Sequence, residues 1–220
     1  MGRMWLPSSL VLAVVLALVS CQGQDRPLAV EKIQLPQTGR VTVKEDFAKE
    51  NPNWSFAIGT WERRSSDGKQ VLAQTAHNKF NVALLKGQSF GDVDVTVRFR
   101  PISGQEDASG GIIFRAKDEK NYYVVRANAL ENNFRLYKTE NGARHEITGV
   151  TVTTPALGQW HTMRVVVVGN HIQAYLNDQL LIDRQDTTYA AGVVGLWTKA
   201  DSVTEFADLQ ITGTPAGKGE

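Results

Sequence analysis

Beyond about residue 40, the chain consists of short runs in which apolar and polar residues alternate with a period of two, the pattern of half-buried β-strands. No stretch keeps a 3.6-residue period over the length of a helix. Turn-forming pairs such as Asn177-Asp178 separate about a dozen runs, which is typical of a sandwich or a barrel. The predicted strands cover residues 41–43, 54–61, 71–73, 80–85, 93–100, 110–116, 122–128, 134–138, the hairpins of 160–183, 193–198 and 204–211.

The clearest part of this pattern predicts two hairpins that share a strand. Two β-branched runs meet at Gly169-Asn170, a pair whose tolerance of positive φ suits a two-residue turn. Pairing outward from this turn places Val165 opposite Ala174 on one face, and Arg164 opposite Tyr175 on the other. The face that carries the valines is therefore predicted to be core.

The first 20 residues have the features of an export signal. Arg3 provides a basic start, and residues 10–19 form an apolar run that is too short to span a bilayer as a helix. Leu18-Val19-Ser20-Cys21 resembles the bacterial lipobox, whose cysteine becomes lipidated and N-terminal. The sequence therefore predicts a signal peptide, lipidation at Cys21 and a lipid-anchored protein of the bacterial cell envelope, at the outer membrane or facing the periplasm if the cell is Gram-negative. The alternative is an ordinary secretory signal with a chance cysteine.

Composition divides the remaining chain into three parts. Residues 21–40 hold proline and glycine without any strand or helix period, which predicts a tether or, alternatively, a partly ordered arm. Residues 41–213 are predicted to form one β-sandwich domain, and residues 214–220 a small polar tail. The chain has 220 residues and is 42% hydrophobic, which is enough for one well-filled domain.

Charge and cysteine usage exclude several kinds of partner and site. With 24 basic and 23 acidic residues, the chain has no excess charge that would favour nucleic acid. Cys21 is the only cysteine, and none of the four histidines has the spacing of a zinc motif. No cofactor and no metal motif is predicted, although Glu45, Asp46 and Asp208 could meet around a structural Ca²⁺ if the terminal strands pair.

Arginine and aromatic side chains recur at positions that alternation assigns to the outside of the middle strands. Guanidinium groups donate in a plane to hydroxyls or carboxylates, and aromatic rings stack on the apolar faces of sugars, so such a surface suits a saccharide. The alternative is an ordinary solvated sheet with cross-strand ion pairs, in which Trp197 belongs to the core. The predicted carbohydrate-binding residues are Arg98, Arg115, Arg126, Tyr137 and Trp197.

Six short motifs stand out in the second half of the chain: Gly111-Ile112-Ile113-Phe114-Arg115, Asn121-Tyr122-Tyr123-Val124-Val125-Arg126, Gly158-Gln159-Trp160-His161, Val168-Gly169-Asn170, Tyr175-Leu176-Asn177-Asp178 and Gly192-Val193-Val194-Gly195-Leu196-Trp197. Together they resemble the bacterial 3-keto-disaccharide hydrolase domain family, which belongs to the concanavalin A-like jelly rolls together with laminin-G modules and glycoside hydrolase family 16. The resemblance covers roughly residues 41–213. It implies an antiparallel two-sheet jelly-roll sandwich whose concave face and rim loops bind sugars.

Catalysis stays open at this point. Family 16 hydrolases place Glu, Asp and Glu along one strand, whereas Asp92 and Asp94 stand here without either glutamate, so hydrolysis by that motif is not expected. His145 is either a general base in a cleft or a solvated loop residue. Three functions compete: an enzyme that cleaves 3-keto-glycosides, a non-catalytic sugar-binding module, and a structural or adhesion domain similar to laminin-G modules.

Overall fold

The computed structural model of the protein describes residues 1–2, 31–153 and 155–217. The predicted signal peptide and the lipidation site at Cys21 lie outside these residues. Within the part that is described, there is no helix long and apolar enough to cross a membrane.

Fourteen antiparallel strands form the described fold. Their bounds are β1 Val41–Glu45, β2 Trp54–Ile58, β3 Trp61–Ser66, β4 Lys69–Gln74, β5 Asn78–Ser103, β6 Ser109–Asp118, β7 Asn121–Asn128, β8 Asn133–Glu140, β9 Ala143–Thr151, β10 His161–Val168, β11 His171–Leu176, β12 Gln179–Gln185, β13 Gly192–Ala200 and β14 Val203–Pro215.

The long strand β5 belongs to two sheets. Its first half, up to Phe90, pairs with β13 and β2, and its second half, from Val93, pairs with β10 and β14. Sheet I therefore has the order β2-β5-β13-β6-β7-β8-β9, and sheet II the order β12-β11-β10-β5-β14, with β1 and the β3–β4 hairpin attached to β14. The predicted all-β, antiparallel two-sheet jelly-roll sandwich is confirmed.

The core lies between the inner faces of the two sheets. Alternate residues of β5, β10 and β11 point into it from sheet II, among them Val95, Val165 and Ala174, none of which is exposed. Sheet I contributes alternate residues such as Phe114 and Val125. Because side chains on a strand alternate between its faces, this pattern also decides which side chains reach the outer faces.

The predicted hairpin register is confirmed residue by residue. Val165 pairs with Ala174 and Arg164 with Tyr175, and the turn glycine Gly169 has a φ of 59°. Asn177 and Asp178 both have positive φ, as the second predicted reversal requires.

The strands differ from the sequence prediction in three places. Residues 54–61 form two strands because Gly59, with a φ of 106°, breaks the run. Residues 80–85 and 93–100 are parts of one strand, since the segment between them stays extended where β5 changes sheets. Strand β9 was not predicted, because it is an edge strand with exposed residues on both parities and no apolar alternation.

The end of the predicted tether packs on the outer face of sheet II. The Ile33 amide donates to the Gln173 side chain at 3.0 Å, and Leu35 is buried. At the other end of the chain, β14 runs two residues into the predicted tail.

Candidate functional site

The outer face of sheet I carries a cluster of aromatic and arginine side chains. Arg126 of β7 and Trp197 of β13 both pair with Gly111 of β6, whose missing side chain leaves the two large groups as neighbours. A Cβ on Gly111 would come within 2.8 Å of the Val125 carbonyl oxygen, so only glycine fits there. This surface, called the arginine face below, comprises Phe80, Tyr122, Arg126, Tyr137, Arg144 and Trp197.

Aromatic rings form the floor of the arginine face. Trp197 and Tyr122 have no exposed surface and Tyr137 only 4%, and the Trp197 indole donates to the Tyr122 hydroxyl at 3.2 Å. Burial raises the pKa of the Tyr122 hydroxyl, which keeps it neutral. Phe80 is the ring with accessible surface, and it packs on Trp197 at 5.6 Å between centroids.

The guanidinium of Arg144 lies on top of this floor. It is 4.2 Å from the centroid of the Tyr137 ring, 5.2 Å from that of Phe80 and 5.5 Å from that of Trp197. Among the described residues it has no ion-pair partner, and its buried Nη1 atom has no hydrogen-bond partner. Burial lowers the pKa of Arg144, and the charge of Arg126 acts in the same direction, whereas the charge of Asp107 acts against them without outweighing them.

Arg126 lies beside Arg144 and is 1% exposed. Its Nη1 donates to Asn133 at 2.6 Å, and its Nη2 to Glu131 at 2.7 Å and to the Tyr137 hydroxyl at 3.2 Å. Its Nε and the Nδ2 of the fully buried Asn128 lack partners within the described structure. Although burial acts to raise the pKa of Glu131, hydrogen bonds from Asn133 and Arg126 outweigh it and lower the pKa to about 2.

A second ion pair borders the arginine face at the β5–β6 loop. Lys199 of β13 lies 3.2 Å from Asp107, which is fully buried and also accepts from Ser202. The loop is held by Asp201, whose carboxylate accepts three backbone N–H groups, from residues 105–107. These hydrogen bonds lower the pKa of Asp201.

The structure brings three of the five predicted binding residues together and separates two from them. Arg126, Tyr137 and Trp197 all belong to the arginine face, although Trp197 is a covered floor residue without surface for stacking. Arg98 lies on the outer face of sheet II, where its guanidinium is 3.3 Å from Asp208 and 5.0 Å from the Trp160 ring centroid.

Simple alternation along the strand would place Arg115 on the same face as Ile113, but the structure does not. Arg115 has a φ of 51° within a bulge of β6, which turns its side chain away from the arginine face. It is 2% exposed and donates to the backbone carbonyls of Gly91, Tyr189 and Gly169 at 2.7 to 3.1 Å. Arg115 thus ties together the segment where β5 changes sheets, the β10–β11 turn and the β12–β13 loop.

The other candidates from the sequence lie outside the arginine face. Asp94 forms a bidentate pair with Arg164, and Asp92 accepts the Gly169 amide at 2.8 Å, so both carboxylates have structural partners. His145 pairs with Lys138 on the exposed side of β9.

The three carboxylates suggested for Ca²⁺ have protein partners. Strands β1 and β14 do pair, as predicted. However, Glu45 accepts from Phe47, Asn51 and Trp54, and Asp46 accepts from the Ala48 amide. Asp208 faces Lys69 and Arg98. Among the residues that the structure describes, no three His, Cys, Asp or Glu side chains group as a metal site would require.

Sequence reasoning missed Arg144 and Phe80. Arg144 pairs with Thr139 across β8 and β9 and so shares the parity of Tyr137, but this is visible only once β9 is recognised as a strand. Phe80 begins the predicted strand 80–85, but no basic residue alternates with it on that strand to mark it as part of an arginine-bearing face.

Comparisons with known proteins show the family of the chain and the relatives of its fold. Residues 44–212 match the family described as the 3-keto-alpha-glucoside-1,2-lyase-like domain. The chain belongs to this family. It is 27% identical over 152 residues to levanase of Bacillus subtilis, an alignment that covers 68% of the chain and 21% of levanase.

Two solved structures share the fold. The carbohydrate-binding module CBM66 from Bacillus subtilis superposes with a TM-score of 0.64 at 23% identity, covering 72% of this chain and 94% of the module. The Bacillus licheniformis β-glucanase gives a TM-score of 0.54 at 16% identity, with 80% of this chain and 99% of the glucanase covered. The family member described here therefore has the sandwich found in carbohydrate-binding modules and glucanases.

Proposed function

We propose that the β-sandwich binds a saccharide at the arginine face. The observation that carries this proposal is Arg144, a partly buried guanidinium that three aromatic rings hold in place and that has no ion-pair partner among the described residues. An uncompensated buried cation costs folding free energy, and groups of this kind concentrate at functional sites. A ligand that accepts hydrogen bonds from the guanidinium recovers that cost.

The residues around Arg144 have the chemistry of a sugar site. Guanidinium nitrogens donate in a plane to neighbouring hydroxyls, and the accessible ring of Phe80 offers an apolar surface for a sugar ring. The carboxylate of Glu131, 39% exposed at the rim, holds Arg126 in place beside Arg144. The similarity to levanase and to CBM66 supports the same class of ligand.

Cleavage of a 3-keto-glycoside is the second candidate function, and membership of the 3-keto-alpha-glucoside-1,2-lyase-like family favours it. Elimination beside a keto group needs a general base near the sugar. Glu131, with a pKa of about 2, is a weak base, and Asp107 is buried against Lys199. Binding is therefore the function that the arginine face supports better.

Lipid anchoring at Cys21 in a bacterial cell envelope completes the proposal. The lipobox-like Leu18-Val19-Ser20-Cys21 supports it. We expect the Cys21→Ser variant to leave the membrane fraction of the producing cell or to stay unprocessed. Membrane partitioning equal to that of the unaltered chain would contradict the anchor.

One screen separates binding from cleavage. The purified protein is mixed with fructan, β-glucan and plain and 3-keto disaccharides, and both the Tm and product release are followed. Because a ligand that binds only the native state raises the Tm, stabilisation without product supports binding, whereas product release supports the lyase.

Matched variants locate the site in the same screen. Arg144→Ala and Phe80→Ala should abolish the ligand-induced rise in Tm, whereas Arg63→Ala and Phe56→Ala, which lie on β3 and β2, should keep it. If all four variants respond like the parent, the ligand binds elsewhere. If no saccharide changes the Tm or is cleaved, the structural or adhesion role is the better account.

A further inference from the structure

The charges of the arginine face do not balance. Three cations close to Arg144 on this side of sheet I each have a carboxylate of their own. The pairs are Arg126 with Glu131 at 2.7 Å, Arg135 with Glu146 at 2.7 Å and Lys199 with Asp107 at 3.2 Å. Arg144 has none among the described residues, and the exposed Lys79 adds a further positive charge, 5.4 Å from the Phe80 ring centroid.

The unpaired polar atoms of this face are mainly donors. Three buried nitrogens lack a partner in the described part of the chain: Arg126 Nε, Asn128 Nδ2 and Arg144 Nη1. Arg126 is 1% exposed and Asn128 is fully buried, so their spare donors lie beneath the surface, and Arg144, which is half-buried, is the guanidinium that a ligand can reach. The hydrogen-bond acceptors of this face already have protein partners, whereas its unpaired groups are donors. Such a face is suited to a ligand that is rich in acceptors.

A neutral sugar hydroxyl satisfies a donor but leaves the charge of Arg144 uncompensated. A carboxylate does both, because its two oxygens match the guanidinium fork in a bidentate, charge-assisted pair. The Tyr137 ring, 4.2 Å below the guanidinium, holds that fork in one plane and so reduces the entropy lost on binding.

We propose that the arginine face recognises an acidic saccharide, and that the carboxylate of a uronic acid residue pairs with Arg144. This inference rests on the proposed function, since it names the class of sugar that the same site takes. Glu131 stays engaged with Arg126 and Asn133, so the ligand's carboxylate approaches from the Arg144 and Phe80 side.

The test compares acids with their own neutral forms. Trisaccharides of glucuronic, galacturonic and mannuronic acid, and the methyl ester of each, are titrated into the full chain by calorimetry at low salt. We expect at least one acid to bind about tenfold or more tightly than its ester, since a hydrogen bond to a charged group is worth that much. The difference should shrink with added salt.

Two variants assign the effect to Arg144. Arg144→Gln should bring the acid and its ester to equal affinity, whereas Lys79→Gln, which removes a charge of the same sign beside the same ring, should change both by less than threefold. Equal loss in the two variants would show only a long-range charge effect and would overturn the pairing.

The remaining outcomes separate this inference from the function beneath it. If the neutral esters, fructan or glucan bind at the arginine face as tightly as the acids, the acidic class is wrong and saccharide binding stands. If no acid and no neutral sugar binds in a manner sensitive to Arg144→Gln, both proposals fail.

Discussion

Two arginines on opposite outer faces of the sandwich show how differently the same side chain is treated. On sheet II, Arg100 donates to Glu205, Ser66 and Asp67 and stacks 4.9 Å from the Trp160 ring centroid. On sheet I, Arg144 packs on three aromatic rings and has no ion-pair partner among the described residues.

The difference is visible in the direction of each pKa shift. For Arg100, burial acts to lower the pKa, but hydrogen bonds to Glu205 and Asp67 outweigh it and the pKa is raised. For Arg144, burial dominates and the pKa is lowered. A guanidinium that forms ion pairs with carboxylates of the same fold contributes to stability. One without an ion-pair partner costs stability, and its charge is available to a ligand.

The largest loss of stability is expected when the ion pairs around Arg100 on sheet II are broken. Glu205 is 2% exposed and holds both Arg100 and Arg64. Its replacement in Glu205→Ala leaves two cations without their buried counter-ion, and we expect the free energy of unfolding in urea to fall by about 3 kcal/mol.

An exposed ion pair provides the control for this prediction. Glu50, which pairs with Arg63, is 88% exposed, and Glu50→Ala should change the unfolding free energy by less than about 0.5 kcal/mol. If Glu205→Ala costs no more than Glu50→Ala, the cluster on sheet II is not a stabilising one.

The comparison is sharpest when both arginines receive the same substitution. Arg144→Met loses ring contacts but removes an unpaired charge, so its unfolding free energy should stay within about 1 kcal/mol of the parent. Arg100→Met leaves Glu205 with one partner fewer and should cost about 2 to 3 kcal/mol. Denaturant unfolding of the two variants side by side checks this, and equal losses would remove the distinction.

The ion pair of the arginine face gives a pH-dependent prediction. The pKa of Glu131 is lowered from 4.5 to about 2, so its ionised form stabilises the fold above pH 4.5, and this contribution is lost as the pH falls through 2. Its side chain is 39% exposed, so screening leaves about 1 kcal/mol. The difference in unfolding free energy between the parent and Glu131→Gln should be of that size at pH 6 and should vanish towards pH 2. A difference that does not depend on pH would rule out this carboxylate as its source.

The smallest effect is expected at Arg98. Its guanidinium shares the exposed Asp208 with Lys69, an arrangement worth little in water. Arg98→Ala should change the unfolding free energy by about 0.5 kcal/mol and leave ligand affinity as it was. A loss of affinity as large as that of Arg144→Ala would move the binding site to sheet II.

The fold was predictable because its signals are local and repeated. Alternation showed which residues share a face, and the turns at Gly169 and Asn177 fixed which residues pair, such as Val165 with Ala174. The change of sheet within β5 was not predictable, because an extended segment reads as two strands and a loop until its partners β13 and β10 are known.

The site was predictable only in part, because its geometry depends on details that alternation does not carry. Arg126 and Tyr137 followed from parity on central strands. Arg115 left that face because one residue with positive φ reverses the parity of a strand. Arg144 comes from an edge strand whose sequence has no apolar period, so nothing local marked it.

The continuity of β5 also sets the order in which the chain can assemble. Its two halves pair with β13 and β14, which follow more than 100 residues later, at Val194 opposite Leu85 and Ile211 opposite Val95. Such long-range pairings form slowly, because the entropy of closing a large loop is lost before any contact stabilises the pair. During synthesis β5 therefore meets β10, its neighbour in sheet II, before β13 and β14 have emerged, so its pairing is completed last, whereas the β6–β9 meander and the β10–β12 hairpins already have their partners. We expect folding to end with the pairing of β5 to β13 and β14, which completes both sheets.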